Sequence, residues 1–142
     1  MRLRPARPAD ANALTDLALR SKAHWGYDAA FIEACRAELT ITPERIADEA
    51  MVVAEVDGRI VGFVAVKGDS LEDLFAEPDA IGTGIGSALL AAAVDIARSN
   101  GVSELVIEAD PHAVDWYRAR GAIDTGTTVP SGSIPGRSLP LL

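Results

Sequence analysis

Three glycines at alternate positions separate a strand pattern from a helix pattern in the middle of the chain. The segment reads Ile81-Gly82-Thr83-Gly84-Ile85-Gly86-Ser87. An extended pattern over 70–77 precedes it and an apolar helical run over 85–97 follows. Glycine permits positive φ and close approach of the backbone to a ligand, and a helix start offers unpaired N–H groups. The segment therefore predicts either an anion site made from backbone or only a tight turn.

Two better-known phosphate motifs do not fit this segment. A Walker loop requires a lysine after its last glycine, and the chain has neither lysine nor arginine between Lys67 and Arg98. A dinucleotide fingerprint requires Gly-x-Gly-x-x-Gly at the first strand of a βαβ unit, whereas the spacing here is Gly-x-Gly-x-Gly after an antiparallel pair. Any anion site here would therefore depend on backbone donors.

The surrounding patterns predict one mixed α+β domain over 1–142. A first strand over 2–6 is followed by helical patterns over 9–22, 28–39 and 43–50. Strands over 51–56 and 59–67 flank Asp57-Gly58, which favours a type I′ hairpin. A strand over 103–109 and a short helix to about 119 come after the 85–97 helix, with weak strand signals at 122–129 and 137–141. This order predicts a mixed sheet with helices on its faces.

Composition narrows the class of protein. The 142 residues carry a formal net charge of −8 without a basic cluster, which argues against nucleic acid and anionic membranes as partners. The single cysteine, Cys35, excludes an internal disulfide framework and a multi-cysteine metal site. We found neither a membrane-span pattern nor a signal peptide, and we expect a reduced, cytoplasmic domain without a metal.

Two blocks of sequence resemble the GCN5-related N-acetyltransferases. The first runs from Leu74-Phe75-Ala76-Glu77-Pro78 through Gly82, Gly84 and Gly86 to Leu89-Leu90, and is similar to the fourth strand, the pyrophosphate loop and the following helix of that family. The second contains Asp110, Ala113, Tyr117 and Gly121 and is similar to the family pattern Asn-x-x-Ala-x-x-x-Tyr-x-x-x-Gly. The chain departs from the family pattern at Ile81, Asp110 and Ala122. The alternative is therefore a catalytically degenerate member of the family that binds CoA or a protein partner without turnover.

The resemblance implies a fold and a co-substrate. We expect a sheet of six or seven strands, splayed between the fourth and fifth strands, with acetyl-CoA in the gap. The pantetheine arm would pair with strand backbone as an added strand does. The resemblance also implies a set of cofactor-binding positions, which are Leu74, Phe75, Ala76, Ile81, Gly82, Thr83, Gly84, Ile85, Gly86, Ser87, Asp110 and Ala113.

Direct acetyl transfer in a ternary complex needs a base for the amine and an acid for the leaving thiolate. The resemblance places Tyr117 at the CoA sulfur as that acid, with packing in the core as the alternative. Glu72 is the candidate base on the strand over 70–77, where strict alternation would put 70, 72 and 74 on one face. Asp73, His24 and a water chain stay open as alternative bases.

The acceptor site is predicted between the first two helical patterns, at His24, Trp25, Tyr27 and Phe31. Aromatic faces can hold a cation, and five carboxylates with no basic residue among them lie nearby at Asp69, Glu72, Asp73, Glu77 and Asp79. We therefore expect a small primary amine or a basic peptide as acceptor. The alternative for the aromatic residues is a hydrophobic patch between two helices, and the alternative for the carboxylates is a solvated edge of the sheet. The sequence also allows a homodimer.

Overall fold

The structure is a computed structural model that describes residues 1–102, 104–107, 111–122, 128–130 and 138–140. Its main sheet has the order β1-β2-β3-β4-β5. The strands are β1 (Arg2–Pro5), β2 (Ala50–Val56), β3 (Arg59–Lys67), β4 (Ser70–Ala76) and β5 (Val106–Ile107). Neighbours in this sheet are antiparallel except β4 and β5, which are parallel. The expected mixed sheet is thus confirmed.

The expectation of six or seven strands in a single sheet needs correction. Seven strands lie in the described part of the chain, but β6 (Thr128–Pro130) and β7 (Ser138–Pro140) pair only with each other. β4 pairs with β5 at Ser70 and Leu71, opposite Val106 and Ile107. The expected splay between the fourth and fifth strands concerns the continuation of β5 past Ile107, which lies outside the described residues.

In the described part of the chain, five α-helices flank the sheet: α1 (Ala11–Ala23), α2 (Ala29–Leu39), α3 (Pro43–Asp48), α4 (Ile85–Ser99) and α5 (Val114–Ala119). Local signals account for several boundaries. The Thr42 hydroxyl accepts a hydrogen bond from the Arg45 N–H at 3.1 Å, with Pro43 as the first helical residue of α3. In the hairpin, Asp57 and Gly58 have φ of 51° and 77°, as a type I′ turn requires. No helix of the described residues is both long and apolar enough to cross a membrane.

The sheet separates two hydrophobic cores. Helices α1, α2 and α3 cover one face, where Leu14, Leu17 and Phe63 are fully buried. Helices α4 and α5 cover the other face, where Leu89 and Tyr117 pack against β3 and β4. The glycine turn and Tyr117 therefore belong to the same side of the sheet.

A β-bulge in β4 changes which residues share a face. Ala65 pairs with Asp73 but Val66 pairs with Leu71, which leaves Glu72 as the extra residue. Leu71 consequently joins Leu74 in the core under α4, although strict alternation would put them on opposite faces. The predicted alternation over 70–75 is wrong for this reason.

Candidate active site

The glycine turn leads directly into α4. Gly82 and Gly84 have φ of 84° and 88°, and a Cβ added to either would meet no atom within 4 Å. The turn therefore needs glycine for its backbone conformation and leaves open space beside it.

The first turn of α4 presents free backbone donors. Ala88 is the first residue whose N–H bonds back, to the Gly84 carbonyl at 3.1 Å. The N–H groups of Gly84, Ile85, Gly86 and Ser87 have no acceptor within the described residues. Donors of this kind, at the positive end of a 15-residue helix, form a site suited to an anion such as a phosphate.

Gly86, the third glycine of the turn, is required for packing between two helices. A Cβ at Gly86 would lie 2.9 Å from the Cζ2 atom of Trp116, because the indole of α5 packs directly on the first turn of α4. The sequence favoured an anion site or a tight turn for this segment and gave no sign of the contact between helices at Gly86. Trp116 thus fixes where α5 lies relative to the turn.

Tyr117 is buried beside this turn, with 6% of its surface exposed. Burial raises the pKa of its phenol well above the ordinary value, and the negative charge of Asp73 raises it further. The phenol therefore keeps its proton throughout the neutral range. A buried, protonated hydroxyl is the group that a leaving thiolate requires.

The two candidate bases occupy different environments. The Asp73 carboxylate is buried and accepts a hydrogen bond from Arg45 at 2.5 Å, and Arg45 also pairs with Glu49 at 2.6 Å. Burial nevertheless raises the pKa of Asp73, against the lowering effect of Arg45. Glu72 is exposed at the bulge.

The predicted acceptor residues are only partly brought together as expected. Trp25, Tyr27, Phe31 and His112 form an aromatic cluster between the α1–α2 turn and the turn before α5. The His112 ring stacks on Trp25 with centroids 5.7 Å apart, and its Nδ1 is hydrogen-bonded to the Tyr27 hydroxyl at 2.9 Å. The Tyr27 and Phe31 rings stack at 4.1 Å. His112 was not among the predicted acceptor residues, because its partners Trp25 and Tyr27 are far from it in the sequence.

A lysine already lies over part of this cluster. The Lys22 ammonium is 5.2 Å from the centroid of the Tyr27 ring and 5.9 Å from that of Phe31. His24 lies at the edge, with its ring 5.2 Å from that of Trp25. The ring faces of Tyr27 and Phe31 thus interact with a cation of the chain itself.

The predicted acidic cluster is largely paired. Asp73 bonds to Arg45, Glu77 bonds to Arg20 of α1, and Asp79 lies 3.2 Å from Arg59 of β3. These arginines come from other elements, so local sequence could not reveal them. The local negative charge around β4 is smaller than the five carboxylates alone predict.

The remaining predicted cofactor positions have simpler surroundings. Leu74, Phe75 and Ala76 are half-buried on β4, and Ala113 packs against the core under α4. Ile81 is 46% exposed at the turn. Asp110 lies outside the described residues.

The fold and the glycine turn define an acetyltransferase-type domain, and a comparison with protein families agrees. The profile of the Acetyltransferase (GNAT) domain family matches residues 14–135. The chain therefore belongs to this family of acetyltransferases. No curated protein matches the chain in a sequence comparison.

Solved structures with the same fold cover almost the whole chain. A GCN5-related N-acetyltransferase from Rhodopseudomonas palustris is 25% identical, with a TM-score of 0.82 over 99% of this chain and 92% of that one. The PaiA N-acetyltransferase from Thermoplasma acidophilum, solved with coenzyme A, is 19% identical, with a TM-score of 0.77 over 99% and 96%. The putative acetyltransferase YncA from Salmonella typhimurium, solved with acetyl-CoA, is 22% identical, with a TM-score of 0.66 over 99% and 90%. The last two likenesses concern the fold alone.

Proposed function

We propose that this protein transfers an acetyl group from acetyl-CoA to the amino group of a small amine or basic peptide, by direct attack in a ternary complex. One observation carries the proposal: the unpaired N–H groups at the start of α4 and the buried phenol of Tyr117 lie on the same side of the sheet. The splay that the family resemblance implies would part β4 from β5 beyond Leu71. An anion site, a proton donor and an open strand edge are the parts that a thioester of CoA needs.

The co-substrate would be held mainly by backbone. The N–H groups from Gly84 to Ser87 suit the pyrophosphate, and the backbone of β4 at Leu74–Ala76 would pair with the amides of the pantetheine arm on the side of the expected splay. The open space beside Gly82 and Gly84 admits the close approach that such contacts require. Binding should therefore survive the replacement of Ile81 by another residue.

Tyr117 would protonate the thiolate as the carbon–sulfur bond breaks. Its raised pKa keeps the proton available at neutral pH, and burial makes a charged thiolate beside it costly unless a proton is delivered. We therefore assign Tyr117 as the general acid.

Glu72 is the better of the two carboxylates for taking a proton from the attacking amine. The Asp73 carboxylate is buried beneath α3, whereas the Glu72 side chain is exposed to solvent, into which it can release the proton that it takes. Asp73 would instead act through its charge, which helps to keep the phenol of Tyr117 protonated.

The first experiment compares turnover and binding in Tyr117→Phe. This change removes one oxygen and keeps the ring, so acetyl-CoA affinity measured by calorimetry should change less than about threefold. Turnover, followed by release of the CoA thiol, should fall about 100-fold, the typical effect of losing a general acid. An unchanged rate would remove Tyr117 from the mechanism. Absence of CoA binding by the wild-type protein at millimolar ligand would refute the cofactor assignment.

The second experiment tests the base with a matched pair of variants. Glu72→Gln should lower turnover below pH 8, where the amine must lose a proton, and the effect should weaken at higher pH. Asp69→Asn removes an exposed carboxylate three residues away and should have little effect. Equal losses in both variants would indicate a general charge effect. Tight CoA binding without turnover on any amine would favour a member of the family that binds without catalysis.

The acceptor is best identified by a screen. Amines, polyamines, aminoglycosides, amino acids and peptide N-termini would be compared by thiol release, with cationic or apolar amines expected to lead. The aromatic cluster supports this expectation, while the ion pairs of Asp73, Glu77 and Asp79 reduce the part played by charge. A preference for an anionic acceptor such as glutamate would contradict it and leave the acetyltransferase proposal standing.

A further inference from the structure

An arginine from the end of α5 lies beside the first turn of α4. The Nε atom of Arg120 donates to the hydroxyl of Ser87 at 2.9 Å, and its Nη1 donates to the carbonyl of Trp116 at 3.1 Å. Ser87 is the third residue of α4, so the guanidinium reaches the turn that carries the unpaired N–H groups. Local sequence supplies no cation there, since Lys67 and Arg98 are the nearest basic residues on either side.

Trp116 holds this arginine in place. The guanidinium carbon of Arg120 lies 4.0 Å from the centroid of the Trp116 ring, and the same ring packs on Gly86. The guanidinium is therefore stacked on a ring that rests on α4, which restricts its motion and leaves its edge available for hydrogen bonds.

The charge of Arg120 is not compensated nearby. Arg118 pairs with Asp115 at 3.2 Å and Arg98 lies 3.9 Å from Asp95, but Arg120 forms no ion pair with any residue that the structure describes. A groove of about 310 Å³ runs from Ser87 and Arg120 along α4 to Asp95 and Arg98, and these last two residues are paired with each other. A guanidinium that lines this groove, stacked on an indole and without an ion pair among the described residues, is suited to an anion.

We propose that Arg120, stacked on Trp116, binds the 3′-phosphate of CoA and makes the protein select CoA over its 3′-dephospho form. This inference rests on the proposed function, because it adds a specificity-determining residue to the same CoA site.

The 3′-phosphate is favoured over the pyrophosphate for a geometric reason. The backbone donors from Gly84 to Ser87 already suit the pyrophosphate, whereas Arg120 reaches the side chain of Ser87 and lines the groove that continues along α4. A terminal phosphate monoester carries up to two charges and presents three oxygens to a guanidinium fork. The 3′-phosphate is therefore the group of CoA that Arg120 can recognise.

The test compares two ligands on three proteins. Calorimetry would measure CoA and 3′-dephospho-CoA on the wild type, on Arg120→Gln and on Arg118→Gln. The last variant removes the same charge from a residue two positions away that is paired with Asp115. We expect the wild type and Arg118→Gln to prefer CoA about 10-fold, as for one charge-assisted contact at an exposed site, and Arg120→Gln to bind both ligands nearly equally. Arg120→Lys should keep part of the preference, since it retains the charge without the fork.

The outcomes separate this inference from the proposed function. A wild-type preference that persists in Arg120→Gln would overturn the role of Arg120 and leave the acetyltransferase proposal intact. Equal weakening of both ligands in Arg120→Gln would also overturn it, since a structural effect through Trp116 would act on both. A wild type that binds neither ligand would refute the proposed function itself, and the inference with it.

Discussion

Gly62 is the position where a single methyl group should disturb both the core and the candidate active site. It lies buried in β3, opposite Ala54 of β2 and Ala76 of β4, directly beneath α4. A Cβ at this position would lie 2.9 Å from the Cδ1 of Leu89, 3.0 Å from the carbonyl oxygen of Phe75 and 3.1 Å from the Cγ2 of Ile85. Gly62→Ala therefore forces α4 away from the sheet.

The expected loss of stability follows from opposing terms. Burial of one methyl group contributes about 0.8 kcal/mol, and the reduced freedom of the unfolded chain contributes about 0.4–1 kcal/mol more. Against these, carbon atoms in contact normally lie about 3.5–4.0 Å apart, so each of the three neighbours would have to move. Overpacking costs about 1–3 kcal/mol, and the upper end applies here because one neighbour is backbone. The free energy of unfolding should fall by about 1–2 kcal/mol.

Thermal and urea unfolding followed by circular dichroism would measure this loss. With an unfolding entropy of about 2.1 cal/mol/K per residue, a chain of this length should lose about 3–7 °C in Tm. CoA affinity should also weaken, because Ile85 is the first residue of α4. Leu89→Val serves as a control, because it removes the Cδ1 atom that lies nearest to the added methyl group. The loss of unfolding free energy in the double variant should therefore be smaller, by about 1 kcal/mol, than the sum of the losses in the two single variants. A Tm that stays constant or rises, or a strictly additive cycle, would refute the reasoning.

Two further predictions concern stability. Arg4 is buried and pairs with Asp10 at 2.8 Å and with Glu55, so Arg4→Met should cost about 2–3 kcal/mol at pH 7 by leaving two carboxylates without their partner. The hydrogen bonds from Arg4 lower the pKa of Asp10 below its ordinary value of 3.8, so this contribution is complete above about pH 4 and is lost as the pH falls through the lowered pKa. In urea unfolding, the difference in free energy of unfolding between the two proteins should therefore shrink as the pH falls below about 4, and a constant difference would contradict the pairing. Thr42→Ala should cost about 1 kcal/mol through loss of the cap on the Arg45 N–H, whereas Thr42→Ser should cost much less in the same assay.

Local chemistry accounts for what the sequence alone could predict. The type I′ turn at Asp57-Gly58 and the start of α3 at Thr42-Pro43 depend on residues a few positions apart, and both are present in the structure. The glycine turn before α4 is likewise encoded by its own backbone preferences. The order of elements and the two motif blocks were enough to indicate the family.

Long-range contacts decided the rest. The bulge at Glu72 arises from pairing between β3 and β4, and it overrides the alternation that the sequence of β4 suggests. Arg45 reaches Asp73 from 28 positions away, and His112 reaches Tyr27 from 85. Such partners are set by how helices and strands pack, because the energy of an ion pair or a ring contact depends on distance in space and leaves no pattern along the chain. The sequence by itself thus determined the elements and the glycine turn, whereas only the tertiary structure decided which charges are paired and which arginine lies at that turn.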